Sequence, residues 1–174
     1  MSGISATPQH KTRGAHPLIG RIVAERFQIT SFIGDGRVAQ VFCAQQDEEP
    51  SHVALKVVLP TLCADPDVVG RFLFAAEKCK RLQHPGIVPT YAAGEDRDVL
   101  YLATDLVMGE SMRSAVDARG PFAERDAVRV ASEIGRALEY ALLEGVLHRN
   151  LRPSNVLLTQ RPDAPEREIV QLCD

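Results

Sequence analysis

His148-Arg149-Asn150-Leu151-Arg152-Pro153-Ser154-Asn155 is the stretch whose reading decides this chain. Eight residues bring together an imidazole, two guanidiniums and two carboxamides. An Asn amide has the size and hydrogen-bonding shape of a carboxylate but no proton-accepting lone pair of useful basicity. Position 150 therefore offers an acceptor and not a base. Upstream, Ala127, Val130, Ala131, Ile134, Leu138, Ala141 and Leu142 recur at spacings of three and four. That periodicity predicts a long amphipathic helix over Phe122–Glu144, with Gly145 placed to end it. Downstream, Val156–Leu158 and Ile169–Leu172 read as two short strands joined by a Pro-rich turn.

At 174 residues the chain suffices for one large domain or two small lobes. Its 45% apolar and 25% charged residues are those of an ordinary globular protein. A net charge of −3 with both signs interspersed gives no nucleic-acid or anionic-membrane footprint. No apolar stretch reaches the ~20 residues of a membrane span, and the N-terminus lacks the order of a secretory signal. Cys43, Cys63, Cys79 and Cys173 are scattered, with no C-x-x-C pair. They read as small thiols in a reducing compartment, and a cytoplasmic location is expected.

Residues 1–17 are rich in Ser, Thr, Gly, Pro and His without apolar periodicity, and a disordered lead-in is expected there. From Arg26 the chain alternates β-type runs with turns: Phe27–Phe32, Gly34-Asp35-Gly36, Val41–Ala44 and Val53–Leu59. Asp65–Gln83 reads as a helix, with Asp-Pro-Asp at its start and His84-Pro85-Gly86 as its break. Ile87–Ala92 and Val99–Ala103 read as strands joined by a polar turn at Gly94–Asp98. These runs predict an α+β lobe of five strands and one helix over 18–104, followed by a mainly helical part over 105–174.

In order along the chain, several strings resemble those of bacterial serine/threonine protein kinases. Ile33-Gly-Asp-Gly-Arg-Val-Ala-Gln-Val41 resembles the glycine-rich loop G-x-G-x-x-G-x-V, with Ala39 in place of the third glycine. Two close glycines let backbone N–H groups approach phosphates, although Gly-Asp-Gly alone is more often just a hairpin turn. Val53-Ala54-Leu55-Lys56 resembles the V-A-I-K strand whose Lys holds the α- and β-phosphates. Taken alone, Lys56 is also readable as a Lys on a solvated strand face. The eight-residue stretch resembles the catalytic loop H-R-D-L-x-x-x-N, and Gln171-Leu172-Cys173-Asp174 resembles the approach to D-F-G.

The resemblance implies a two-lobed protein-kinase-like fold with a Mg-ATP cleft between an antiparallel N-lobe sheet and a helical C-lobe. It places Ile33, Gly34, Gly36, Ala39, Val41, Ala54 and Lys56 around the nucleotide. Thr104 falls at the gatekeeper, Asp105 and Val107 at the adenine-reading backbone positions. Leu157 falls at the apolar floor, or is a plain core residue. His148, Arg149 and Arg152 fall in the catalytic loop, where Arg152 replaces the usual Lys near the transferred phosphate. Asn155 and Asp174 would be the Mg²⁺ ligands.

Two positions depart from the pattern. Asn150 stands where the family has the Asp that takes the substrate's proton. Aligning Arg71-Phe72-Leu73-Phe74-Ala75-Ala76-Glu77 through Leu82-Gln83-His84-Pro85 without gaps puts Ala75 at the helix Glu that pairs with the Lys. Glu77 lies about 200° further around the helix and should face away. The expectation is a pseudokinase that retains a nucleotide site. The alternatives are a weakly active kinase that recruits Glu77, and an interaction module without nucleotide. In the family the long helix packs on elements that follow Asp174, so an exposed apolar patch is expected in this piece.

Overall fold

The protein is described here by a computed structural model covering residues 16–36, 38–46, 52–97, 99–160 and 168–173. The expected lead-in falls mostly outside the described residues. His16, counted within it, is anchored, its ring stacked 5.4 Å from Phe32 and edge-on 4.9 Å from Phe42.

An antiparallel sheet of order β1-β2-β3-β4-β6-β5 builds the N-lobe. Its strands are β1 (Ile22–Val23), β2 (Phe27–Asp35), β3 (Ala39–Gln46), β4 (His52–Val58), β5 (Thr90–Asp96) and β6 (Val99–Asp105). The sheet thus has six strands and not the expected five. A two-residue strand, β1, is too short to show alternation in sequence. Alternation builds the core on one face. Phe27, Phe42, Leu55 and Ala103 are fully buried, and Val53, Val57 and Tyr101 complete the cluster.

Two boundaries differ from the sequence reading. Gly34 and Asp35, expected in a turn, lie in β2 opposite Val41 and Gln40. A register irregularity between Phe32 and Gly34 lets the strand run on past Ile33. The strand expected at Ile87–Ala92 starts at Thr90 and continues to Asp96, through much of the expected turn. Pro89 has no N–H to give a ladder, and its carbonyl accepts from the Asp105 N–H at 2.9 Å. Ile87 instead bridges in parallel to Leu172, tying the N-lobe to the C-lobe.

Between β4 and β5 run α1 (Pro60–Cys63), which the sequence reading lacked, and α2 (Pro66–Cys79). Asp65 caps α2 by accepting from the Asp67 N–H at 2.9 Å, with Pro66 in the first turn. The helix stops at Cys79, four residues short of Gln83, because Arg81 and Leu82 make tighter bonds to Lys78 and Cys79. His84 then stacks 5.1 Å from Tyr140, whose hydroxyl accepts from the Gln83 N–H at 3.0 Å. Gly86 permits this docking: a Cβ there would sit 3.2 Å from Ala137 Cβ and 3.1 Å from the His84 ring.

The C-lobe contains β7 (Glu110–Ser111), α3 (Met112–Arg119), α4 (Glu124–Leu143), a 3₁₀ turn (Pro153–Asn155), β8 (Val156–Gln160) and β9 (Glu168–Leu172). β7 and α3 were not foreseen. Val130, Ala137 and Ala141 of α4 are buried, with Ile134 and Leu138 packed beside them against Val156, Leu158, Val170 and Leu172. Ala127, Ala131 and Leu142, expected on this face, are exposed, since the stripe follows 130, 134, 137, 138 and 141. Gly145, at φ +73°, ends the helix as expected. The apolar face expected to be left exposed is instead covered within the chain, while Leu142 and Leu143 at the end of α4 and Leu147 and Leu151 beyond it are exposed.

Candidate functional site

Strand register assembles the upper wall of the cleft. Directly opposed residues of antiparallel strands share a face. Val41 pairs with Lys56, and Lys56 with Leu102; Cys43 pairs with Ala54, and Ala54 with Thr104. These six therefore line one face of β3, β4 and β6, opposite the aromatic core. Thr104 is buried and the other five are half-buried. Cys43 and Leu102 were not among the sequence candidates, though the every-second-residue rule would have found both.

Lys56 sits in this wall with its ammonium pushed below the ordinary lysine range, chiefly by burial. The thiols of Cys173 and Cys79 act in the opposite direction. Burial pushes both thiols up, and the Lys56 charge partly offsets each. Cys79 lies one helical turn beyond Ala75 on α2. Thus a thiol of this face is felt at Lys56, while position 75 is an exposed methyl. Glu77 is exposed and its carboxylate accepts from Lys80 at 2.9 Å.

Above Lys56, the turn between β2 and β3 brings the Gly36 N–H to the Ala39 carbonyl at 2.8 Å. A Cβ on Gly36 would meet that oxygen at 2.8 Å, so this tight turn requires glycine. A Cβ on Gly34 would meet nothing within 4 Å. Ile33 is exposed at the rim. At the far edge the chain leaves β6 at Asp105. Among the described residues the Val107 N–H has no hydrogen-bond partner, which suits it to an external acceptor.

The lower wall is the loop from His148 to Asn155. Arg149 adopts φ +57°, a left-handed conformation uncommon outside glycine. The Asn150 N–H donates to His148 Nδ1 at 3.4 Å, and Asn155 Nδ2 donates to the Asn150 carbonyl at 3.0 Å. Asn155 is buried, and Ser154 Oγ reaches its Oδ1 at a long 3.3 Å. The Cys173 N–H donates to the Asn155 carbonyl at 3.0 Å, so the segment leading to Asp174 lies beside the loop. Asp174 itself falls outside the described residues. Arg152 directs Nε, at 3.0 Å, and Nη2 onto the single side-chain oxygen of Asn150. On β8, Val156 and Leu158 are core residues while half-buried Leu157 alternates to the other face.

Among the described residues no three His, Cys, Asp or Glu side chains form a cation cage. A separate cavity of about 540 Å³, bounded by Met108, Glu110, Arg119 and Glu168, involves none of these cleft residues. Its charges satisfy one another, Arg119 bonding Glu110 and lying 3.9 Å from Glu168.

A glycine turn over a strand lysine, faced by a polar loop across a cleft, is the arrangement of a phosphotransfer fold, and residues 27–174 match the protein kinase domain. The chain belongs to the protein kinase domain family. It is 30% identical over 141 residues to the serine/threonine-protein kinase PrkC of Bacillus subtilis, covering 81% of this chain and 22% of that protein. It is 31% identical over 157 residues to the serine/threonine-protein kinase pkn3 of Myxococcus xanthus, covering 90% and 29%. The chain thus spans less than a third of either relative. Among solved structures, the PknI kinase domain of Mycobacterium tuberculosis superposes with a TM-score of 0.79 at 29% identity, over 89% of this chain and 61% of that one. Residues 1–466 of Rad53 in complex with AMP-PNP superpose at 0.72 and 27% identity, over 86% and 38%. The two-lobed protein-kinase-like architecture expected from sequence is the architecture of this kinase domain.

Proposed function

We propose that this kinase domain is a pseudokinase: its cleft takes Mg-ATP, and the domain acts through the nucleotide-bound conformation rather than by phosphotransfer. The observation that carries the proposal is the state of position 150. Its side chain is a neutral amide, and the oxygen that would receive a substrate hydroxyl is already bonded by both Arg152 donors. A missing general base typically lowers rate 10²–10⁴-fold. The methyl of Ala75 adds an independent defect, because positioning supplies most of phosphoryl-transfer catalysis. Recruitment of Glu77 has no support, since that carboxylate pairs with Lys80 on the exposed side of α2.

Nucleotide binding draws on what is retained. Gly34 leaves open space beside the backbone for phosphate, Gly36 holds the tight turn above Lys56, Lys56 supplies a partly desolvated cation, Thr104 and Leu157 flank an adenine slot, and Asp105 and Val107 offer backbone groups. Asn155, with Asp174, would hold a Mg²⁺ ion, whose charge would offset that of the phosphates. ATP and Mg²⁺ are thus the ligands, the protein partner is one that reads the cleft's state, and a cytoplasmic setting fits the four free thiols. No helix among the described residues is long and apolar enough to cross a membrane. Titration of the natural full-length protein with Mg-ATP, followed by thermal shift, tests this. A Mg²⁺-dependent shift with no phosphotransfer is expected; robust phosphotransfer would refute the proposal.

A further inference from the structure

Between the core and the glycine turn, backbone pairing holds β2 only in part. Ile29 lies opposite Ala44 and Ser31 opposite Cys43, so Thr30 is an extra residue. Phe32 lies opposite Phe42 and Gly34 opposite Val41, so Ile33 is another. An extra residue is left out of the ladder and bends its strand. Ser31 and Phe32 are the paired residues between these two bulges. On its other side β2 meets β1 at Phe27 and Gln28, and the Gly20 and Arg21 backbone at Ile29. Among the described residues no strand continues beyond that point. The direction in which the chain enters Gly34 therefore depends on what the Phe32 side chain rests against.

Phe32 shares the face of Phe42, away from the cleft, and their rings meet edge-on at 5.5 Å. His16 completes the cluster, parallel to Phe32 within 2° at 5.4 Å and edge-on to Phe42 at 4.9 Å. His16 is itself fixed: its Nδ1 accepts from the Leu18 N–H at 3.3 Å, its carbonyl accepts from the Ile19 N–H at 2.9 Å, and Leu18 packs on the aromatic core. We propose that His16 is a positioning residue for the glycine turn. Through Phe32 it sets how Ile33 and Gly34 leave the second bulge, and so where the Gly36–Ala39 turn lies over the phosphate side of the cleft. The segment that precedes the sheet is thereby coupled to the site. The effect on affinity rests on nucleotide binding as proposed above; the effect on the turn does not.

Hydrogen exchange and calorimetry on the natural full-length protein, with His16→Ala and His16→Phe, test this. Without nucleotide, His16→Ala should exchange the Gly36 amide, which is bonded to the Ala39 carbonyl, about two- to tenfold faster, the size of one aromatic contact. The Leu55 amide in the core should be unchanged. His16→Phe keeps a ring against Phe32 and should exchange as wild type does. Mg-ATP should bind His16→Ala about two- to tenfold more weakly. Adenosine, which has no phosphates for the turn to meet, should bind both proteins equally. Unchanged Gly36 exchange in His16→Ala, equal acceleration at Leu55, or a phenylalanine variant that behaves like the alanine variant would overturn the positioning role. Faster Gly36 exchange with undiminished Mg-ATP affinity, or with an equal loss for adenosine, would overturn the link from turn to phosphate. Faster Gly36 exchange in a protein whose wild type binds no Mg-ATP would overturn the nucleotide reading and uphold the hold of His16 on the turn.

Discussion

Leu55 and Lys56 are neighbours on β4 whose side chains serve opposite faces, and exchanging each should give non-overlapping phenotypes. Leu55 is fully buried between Phe42 of β3 and Ala103 of β6. Leu55→Ala removes three carbons, about 2.4 kcal/mol at ~0.8 kcal/mol per buried methylene. The cavity raises the loss into the 2–5 kcal/mol range, centred near ~3 kcal/mol. At about 2–4 °C per kcal/mol for a domain of this size, the melting midpoint should fall by about 6–12 °C. Lys56→Met removes no core methylene, and its midpoint without nucleotide should move much less. With Mg-ATP at ~100 times Kd, binding adds about 2.7 kcal/mol, so wild type and Leu55→Ala should each gain about 5–10 °C. Lys56→Met should gain almost nothing. Differential scanning fluorimetry on the full-length protein reads all six conditions. A Leu55→Ala loss under about 1 kcal/mol would show that the face assignment is wrong. An undiminished nucleotide shift in Lys56→Met would remove Lys56 from the site.

In autophosphorylation assays Asn150→Asp alone should stay within about tenfold of wild type, because the new carboxylate pairs with Arg152 and Ala75 is unchanged. The triple variant Ala75→Glu, Asn150→Asp, Arg152→Lys should gain the 10²–10⁴-fold typical of a restored general base; a comparable gain from Asn150→Asp alone would contradict this. The pH dependence of stability should carry two opposed signs. Folded Cys79 and Cys173 keep their protons to higher pH than in the unfolded chain, so their contribution falls as pH rises through the ordinary thiol range. Folded Lys56 loses its proton earlier than in the unfolded chain, so its contribution rises with pH over the window below the ordinary lysine value. Cys79→Ser with Cys173→Ser should therefore make the slope of unfolding free energy from about pH 8.5 to 10 more positive, and equal slopes in urea titrations would count against the thiol burial. Gly109→Ala would place a Cβ 2.2 Å from the Leu158 carbonyl, and should separate β7 from β8 with a loss of roughly 3 kcal/mol in chemical denaturation. Leu143, 80% exposed, should accept Ser with less than about 0.5 kcal/mol change, and a larger loss would mean that it is covered.

The sequence by itself determined what local rules can carry. Alternation in Val41–Ala44 and Val53–Leu59 gave the central strands, Asp65-Pro66 and Gly145 gave true helix ends, and ordered strings gave the family. The same strings led to the expectation that Asn150 and Ala75 depart from the family pattern, because a departure can be read wherever neighbours fix the register. Short or interrupted elements were beyond it. β1 and β7 have two residues each, too few for any period, and β2 passes through Gly34 only because pairing with β3 outweighs glycine's turn preference. Tertiary structure alone decided which half of a periodic pattern is covered, exposing Ala127 and Ala131 while burying Ala137. It also decided which distant groups meet: Cys79 and Cys173, 94 residues apart in the numbering, both flank Lys56. The Arg152 fork on Asn150 spans only two residues, yet it depends on the left-handed turn at Arg149 and the bond from buried Asn155. Residue type set the chemistry each position could offer; burial and backbone geometry set which partner each group found.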